Sequence, residues 1–113
     1  MLIYSVLKYK MNKNNYCPLN YTMTLIGTKW KPLILFHLLE GALRSGILQK
    51  HIVGISNKMF TQTVRELEKD GLVVRKVYPV VPPKVEYLLS KRGESLESIL
   101  RSLDQWGAND LKP

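Results

Sequence analysis

The stretch "VYPVVPPKVEYLL", residues 77–89, has two strand-like runs on either side of a proline-rich segment. Proline lacks the N–H that a strand ladder needs and fixes its own φ, so Pro79, Pro82 and Pro83 must interrupt strand pairing. The runs "LVVRKVYP" and "KVEYLLS" therefore predict a β-hairpin with a stiff, projecting tip, because a simple turn would more commonly use Asn-Gly or Asp-Gly. The alternative is that the prolines and nearby lysines only protect exposed strand edges from pairing.

Four helices are predicted before this hairpin and one after it, from apolar residues at helical spacing and from signals at the helix ends. Proline in a first turn and glycine just past a last turn mark several of these ends. The predicted helices are "CPLNYTMTLIG" (17–27), roughly Lys29 to Glu40, "RSGILQKHIVG" (44–54), Ser56 to Asp70, and about Lys91 to Trp106.

The third and fourth helices are separated only by the tight turn "VGIS", and the hairpin follows them. This is the element order of a winged helix-turn-helix. The 113 residues predict one domain, mainly α with a small antiparallel β-hairpin (α+β): a winged helix-turn-helix with flanking dimerisation helices.

The charge of the chain favours a polyanionic partner. The formal net charge is +8, and it is unevenly placed: from Met1 to Arg65 the only acid is Glu40, against nine Lys and Arg residues. A basic side of this kind is typical of nucleic-acid-binding proteins, although some of the charge of any small basic protein serves solubility.

The fourth predicted helix has two distinct faces. Phe60, Val64 and Leu67 fall on one side, which predicts that this side packs into the core. The opposite face carries no acid, whereas an ordinary exposed helix face mixes both signs. Its side chains suit DNA: Asn and Gln can pair with adenine edges, Arg or Lys with guanine, and Thr with a thymine methyl or a phosphate. This polar face comprises Asn57, Lys58, Thr61, Gln62, Arg65 and Lys69.

DNA binding is the function that this pattern favours, with helix 56–70 in the major groove and wing 78–84 along the neighbouring backbone or the minor groove. In the wing, Lys84, with Arg75 and Lys76 nearby, would supply charge for phosphate. The alternative is a winged-helix module that binds protein, or nucleic acid without sequence specificity. The predicted DNA-binding residues are Ser56, Asn57, Lys58, Thr61, Gln62, Arg65, Lys76 and Lys84.

Other classes of function receive little support. The single cysteine, Cys17, excludes an intramolecular disulfide and suits a reducing, cytoplasmic environment. No apolar run approaches the ~18 residues of a membrane span. With His37 and His51 isolated in sequence, there is no metal-ligand spacing and no catalytic constellation. We therefore predict no enzyme, no metal and no cofactor.

Residues 16–107 resemble the HxlR-type winged helix-turn-helix transcriptional regulators of bacteria and archaea. The resemblance lies in "CPLNYTMTLIGTKWKPLILFHLLEG", in "GISNKMFTQTVRELEKDGLVVRKVYPVVPPKVEYLLSKRGESL" and in the late "WG". It implies a sequence-specific DNA-binding transcriptional regulator, a cytoplasmic homodimer that represses or activates genes. It also implies that the terminal helices form the dimer interface. Residues 1–15 would then be an extension or dimerisation arm, and 108–113 a tail.

Cys17, in the context "YCP", matches the cysteine with which some members of that family sense oxidants or electrophiles. The dipole of the helix that follows would favour its thiolate. The alternative is an inert cysteine that only supports the helix geometry.

The last predicted helix has an apolar stripe at steps of three and four residues. This stripe could close the core of the chain itself, or form the seam of a dimer that places two recognition helices on an inverted repeat. We favour the dimer. The predicted interface is Leu96, Ile99, Leu100, Leu103 and Trp106.

Overall fold

A computed structural model describes residues 17–113, so the predicted arm 1–15 lies outside the described residues. The predicted fold class is confirmed: helices surround one small antiparallel sheet. No helix among residues 17–113 is long and apolar enough to cross a membrane. In chain order the elements are α1 (Pro18–Ile26), α2 (Trp30–His37), β1 (Leu43–Arg44), α3 (Ser45–His51), α4 (Asn57–Lys69), β2 (Val73–Tyr78), β3 (Lys84–Leu89), α5 (Lys91–Glu94) and α6 (Glu97–Asp110).

Helix α4 begins and ends where its sequence predicts. The Ser56 hydroxyl accepts a hydrogen bond from the Met59 N–H at 3.0 Å, which satisfies one of the donors left unpaired in a first helical turn. After the last turn Gly71 adopts a φ of +75°, a left-handed conformation that glycine reaches without steric cost. The chain can therefore reverse directly from α4 into β2.

The helix predicted from Lys91 to Trp106 is wrong in its continuity. It is two helices, α5 and α6, and α6 continues to Asp110, into the predicted tail 108–113. The break follows from how α5 is fixed: Gly93 is buried so closely that a Cβ would lie 2.1 Å from the Leu72 carbonyl oxygen. The next residues turn through short-range hydrogen bonds before α6 starts, such as Leu96 N–H to the Gly93 carbonyl at 3.1 Å.

Helix α2 is also shorter than predicted. Its regular turns stop at His37, and the N–H groups of Leu38 and Leu39 bond three residues back, to Leu35 and Phe36, each at 3.1 Å. The predicted end at Glu40 therefore falls in a tightened turn rather than in the helix.

The sheet has three antiparallel strands in the order β1-β3-β2. The predicted hairpin pairs from Val73 opposite Leu89 to Tyr78 opposite Lys84, and the proline-rich segment 79–83 forms its tip. The two-residue strand β1 was not predicted, because only its pairing with Tyr87 and Glu86 on β3 makes it a strand.

The hydrophobic core lies where α4 packs on α2 and on strand β2. The prediction that Phe60, Val64 and Leu67 face this core is confirmed. The rings of Phe60 and Tyr87 meet edge to face with centroids 6.3 Å apart, which joins α4 to β3. The buried apolar residues are Ile26, Ile34, Leu35, Leu38, Leu48, Ile52, Phe60, Val64, Leu67, Leu72, Val73, Tyr87, Leu89 and Leu100.

Candidate nucleic-acid interface

The outer face of α4 is an open, shallow surface. All five predicted contact residues along the helix are exposed, and the core residues on its inner face hold the helix against the body. The one acid bordering this surface is Glu66, which is paired with Lys31 at 3.0 Å. The surface is lined by Asn57, Lys58, Thr61, Gln62, Arg65 and Glu66.

The start of α4 is joined to α3 by side chains. Gln49 Nε2 donates to Asn57 Oδ1, which leaves the amide nitrogen of Asn57 available for other partners. Ser56 is exposed, although its hydroxyl oxygen already caps the helix. The Gln49–Asn57 hydrogen bond thus links α3 to the start of α4, whereas the Ser56 cap acts within α4 itself.

A cleft of about 400 Å³ lies between α4 and the sheet. Arg65 from α4 and Arg75 from β2 both line it, and neither forms an ion pair with any residue in 17–113. Arg75 stands opposite Tyr87 in the strand register, and Tyr87 also lines the cleft. One carboxylate, Glu68, faces these two guanidinium groups. The cleft therefore has an excess of positive charge.

The wing is the β2–β3 hairpin with its tip at 79–83. At the tip Val81 is 99% exposed. The predicted contact Lys84 is half-buried: its Nζ lies 3.4 Å from a carboxylate oxygen of Glu86 and 4.6 Å from the centroid of the Tyr78 ring. Lys76 is exposed on the neighbouring strand, opposite Glu86. Most of the unpaired positive charge of the wing thus belongs to Arg75 and Lys76.

Glu86 organises the base of the wing. The Tyr78 hydroxyl donates to its carboxylate at 3.0 Å. This hydrogen bond, followed by the ammonium groups of Lys84 and Lys76, holds the pKa of Glu86 below its ordinary value despite partial burial. The carboxylate is therefore ionised at neutral pH and keeps both Tyr78 and Lys84 in place.

The predicted apolar stripe of the last helix is divided. Leu100 is 2% exposed and belongs to the core, and Leu96 packs against that core, so the prediction that Leu100 meets a partner is corrected. Ile99, Leu103 and Trp106 remain exposed, at 46%, 56% and 70%. Leu103 also lines an apolar groove of about 260 Å³ between α2 and α6.

Cys17 is exposed and occupies the N-cap position of α1. Its carbonyl accepts the first hydrogen bond of the helix, from the Tyr21 N–H at 3.1 Å. Cys17 therefore stands at the N-terminal end of α1, the end at which the helix dipole favours negative charge.

A short helix-turn-helix with a β-wing and an acid-poor outer face matches a known family profile. The sequence profile of HxlR-like helix-turn-helix proteins matches residues 25–113. The chain belongs to the HxlR-like helix-turn-helix family. It is a transcriptional regulator that binds DNA, as its sequence predicts.

Relatives of this HxlR-like regulator match its sequence or its fold over most of its length. YtcD of Bacillus subtilis (strain 168), named as an uncharacterized HTH-type transcriptional regulator, is 49% identical over 102 residues, which cover 89% of this chain and 81% of YtcD. The redox regulator HypR in its oxidized form matches with a TM-score of 0.81 at 39% identity, covering 86% of this chain and 100% of that one. Reduced YodB from B. subtilis matches with a TM-score of 0.71 at 32% identity, covering 86% and 97%.

Two spatial arrangements in this HxlR-like regulator were not predicted from its sequence. His37 and His51, predicted to be isolated, lie together with ring centroids 5.2 Å apart, and burial and the nearby His51 lower the pKa of His37. Within residues 17–113 no third ligand joins them. The charge of Arg75 near Lys84 was expected to serve phosphate, but the cleft that Arg75 shares with Arg65 was not predicted, because it depends on the strand register and on how α4 packs on the sheet.

Proposed function

We propose that this regulator reads double-stranded DNA with the outer face of α4 in the major groove and with the wing on the adjacent backbone. The observation that carries the proposal is the exposed face of α4, where amide, hydroxyl and basic groups stand together and the single bordering acid is neutralised by Lys31. The major groove is wide enough to admit an α-helix, and this face offers the hydrogen-bond donors and acceptors that base edges require.

Within this arrangement the contacts divide by chemistry. Gln62 and Arg65 are the base-reading residues, because an amide and a guanidinium can each form two hydrogen bonds to a base edge. Ser56, Thr61 and the basic residues of the wing contact phosphates, which position the protein without reading sequence. The cleft beside Arg65 and Arg75 suits a backbone phosphate at the junction of helix and wing.

The test is a selection of bound duplexes from a random pool, followed by titrations at several salt concentrations. We expect one recovered motif, and binding to it that is stronger than binding to random duplex by about a thousandfold or more. Equal binding to all duplexes would instead support the alternative, a module without sequence specificity.

The functional unit in this proposal is a homodimer on an inverted repeat. Ile99, Leu103 and Trp106 leave an exposed apolar strip on α6, and a two-fold axis would bring two copies of α4 to successive major grooves about 34 Å apart. This function needs neither a cofactor nor catalysis, and it places the protein in the compartment that holds the chromosome, the cytoplasm.

A second proposal concerns the signal: Cys17 responds to an oxidant or an electrophile. Its exposure at the N-cap of α1 supports this, as does the likeness to HypR, which is named a redox regulator. We expect diamide or a quinone to change operator affinity in the parent protein but not in Cys17→Ser, measured by titration with the selected duplex. The same response in both proteins would contradict the sensor role and leave the DNA-binding proposal intact.

A further inference from the structure

Lys31 is the only charged side chain that is buried among residues 17–113, with 7% of the residue exposed. Lysine is almost never fully buried unless its charge is paired. Here Nζ lies 3.0 Å from Oε1 of Glu66, whose side chain is 45% exposed. This ion pair anchors the C-terminal half of α4 to α2. Its cation lies inside the protein and its carboxylate lies at the surface.

The carboxylate of Glu66 uses its two oxygens for two different partners. While Oε1 meets Lys31, Oε2 accepts a hydrogen bond from Gln62 Nε2 at 3.2 Å, one helical turn earlier. The hydrogen bonds from Lys31 and Gln62, and then the charge of Lys31, lower the pKa of Glu66. At neutral pH the group is therefore ionised and can only accept hydrogen bonds.

This chemistry fixes the orientation of the Gln62 amide. The NH₂ end of the amide must face the ionised carboxylate, because the opposite orientation would place two acceptors together. The NH₂ group has two hydrogens and the carbonyl is a separate acceptor. With one hydrogen bonded to Glu66, a second hydrogen and the carbonyl oxygen remain, and these are the donor and acceptor that pair with N7 and N6 of adenine.

We propose that Lys31 and Glu66 are positioning residues that set the base preference of Gln62. The buried ammonium of Lys31 holds the Glu66 carboxylate, and the carboxylate holds the amide of Gln62 in the orientation that reads adenine. This inference rests on the proposed function, since it assigns a role within the base-reading face of α4. Lys31, which is buried on α2 away from the reading surface, would thus help to determine which base is preferred.

The test is a double-mutant cycle between Glu66→Gln and Gln62→Ala, measured as affinity for the selected duplex and for duplexes changed at one base pair at a time. Gln62→Ala should relax discrimination at one base pair of each half-site. Glu66→Gln should relax it at the same base pair by about threefold or more, because residues in direct contact couple at that level, and discrimination elsewhere should be unchanged. In the Gln62→Ala background Glu66→Gln should add nothing at that base pair.

Glu68→Gln is the matched control. It removes the same charge from the same exposed helix, but Glu68 makes no hydrogen bond to Gln62 in the described residues. It should strengthen binding to all duplexes slightly, because it removes a negative charge near phosphates, and should leave base preference unchanged. Equal relaxation in the Glu66→Gln and Glu68→Gln variants would overturn the inference.

A further variant replaces both charged partners, in case Glu66→Gln leaves Lys31 unpaired and prevents folding. Lys31→Met/Glu66→Met leaves no buried charge, and such apolar replacements of buried ion pairs are often well tolerated. It should relax discrimination at the same base pair as Gln62→Ala. Additive effects of the two mutations in the cycle, or relaxation at a different base pair, would overturn the inference. A parent protein that discriminates among no duplexes would overturn the proposed function itself, which is a separate outcome.

Discussion

Helices α4 and α6 are nearly equal in length, 13 and 14 residues, and both pack on the same core, α4 through four buried residues and α6 through Leu100. Their outer faces differ in kind. That of α4 presents amides, hydroxyls and cations, whereas that of α6 presents Ile99, Leu103 and Trp106. Amphipathicity alone therefore gives no information about a partner. The chemistry of the outer face does: the first face suits a polyanion, and the second suits another apolar surface.

Helix α2 packs against both of these helices. Toward α4 it contributes Lys31, the buried cation that pairs with Glu66. Toward α6 it contributes Pro32 and Leu33, which line the apolar groove that Leu103 closes. One helix thus supports the polar face through a charge and the apolar face through packing.

Leu103→Glu should have the largest effect on this comparison, because it places a charge on the apolar face of α6. In the proposed dimer a carboxylate would be buried in an apolar seam, which costs at least about 2 kcal/mol of association free energy per site. We expect monomers and the loss of operator binding, measured by light scattering and by titration with the selected duplex. Gln105→Glu adds the same charge on the opposite side of α6 and should leave a dimer; monomers from both variants would contradict the assignment of the seam.

Arg75→Ala tests the contribution of the wing to binding separately from that of α4. Because its proposed contact is a phosphate, it should weaken selected and random duplexes alike and reduce the slope of log affinity against log salt by about one. Lys84→Ala should act in the same direction but less strongly, since Glu86 and Tyr78 already engage its ammonium. Titrations over a salt series provide the check. A loss confined to the selected duplex would mean that Arg75 reads a base.

Ser56→Ala should have the smallest effect, and it acts on the N-terminal cap of α4. It removes the hydrogen bond from the Met59 N–H and should lower the free energy of unfolding by about 0.5–2 kcal/mol. Denaturant unfolding measures this change. Ser90→Ala should cost more, because the Ser90 hydroxyl accepts from the Gly93 N–H at 3.0 Å and also donates to the Gly71 carbonyl just after α4. An unchanged free energy of unfolding in Ser56→Ala would contradict the capping role of Ser56.

Much of this fold could be predicted because its signals are local. Ser56 and Gly71 limit α4, apolar spacing identifies its buried face, and the prolines limit the hairpin. The unpredicted features depend on distant contacts. Strand β1 exists only through its pairing with β3, and the break between α5 and α6 follows from the close approach of Gly93 to Leu72.

The candidate site divides in the same way. The outer face of α4 follows from helical periodicity, so its exposed residues could be named from sequence. Periodicity could not tell that Leu100 turns into the core while Leu103 does not, because both lie on one apolar stripe. Nor could it show that Lys84 is engaged by Glu86, or that Arg75 shares a cleft with Arg65, since these contacts depend on strand register and on packing between elements.

The central claim is that α4 reads sequence, and Arg65→Ala tests it most directly. The measurement is the ratio of affinities for the selected duplex and for random duplex, in the parent and in the variant at one salt concentration. If Arg65 contacts a base, the ratio should fall by a factor equivalent to roughly 1–3 kcal/mol, mainly through weaker binding to the selected duplex. An unchanged ratio, with Arg65→Ala binding the selected duplex as tightly as the parent does, would contradict the assignment of α4 as the recognition helix.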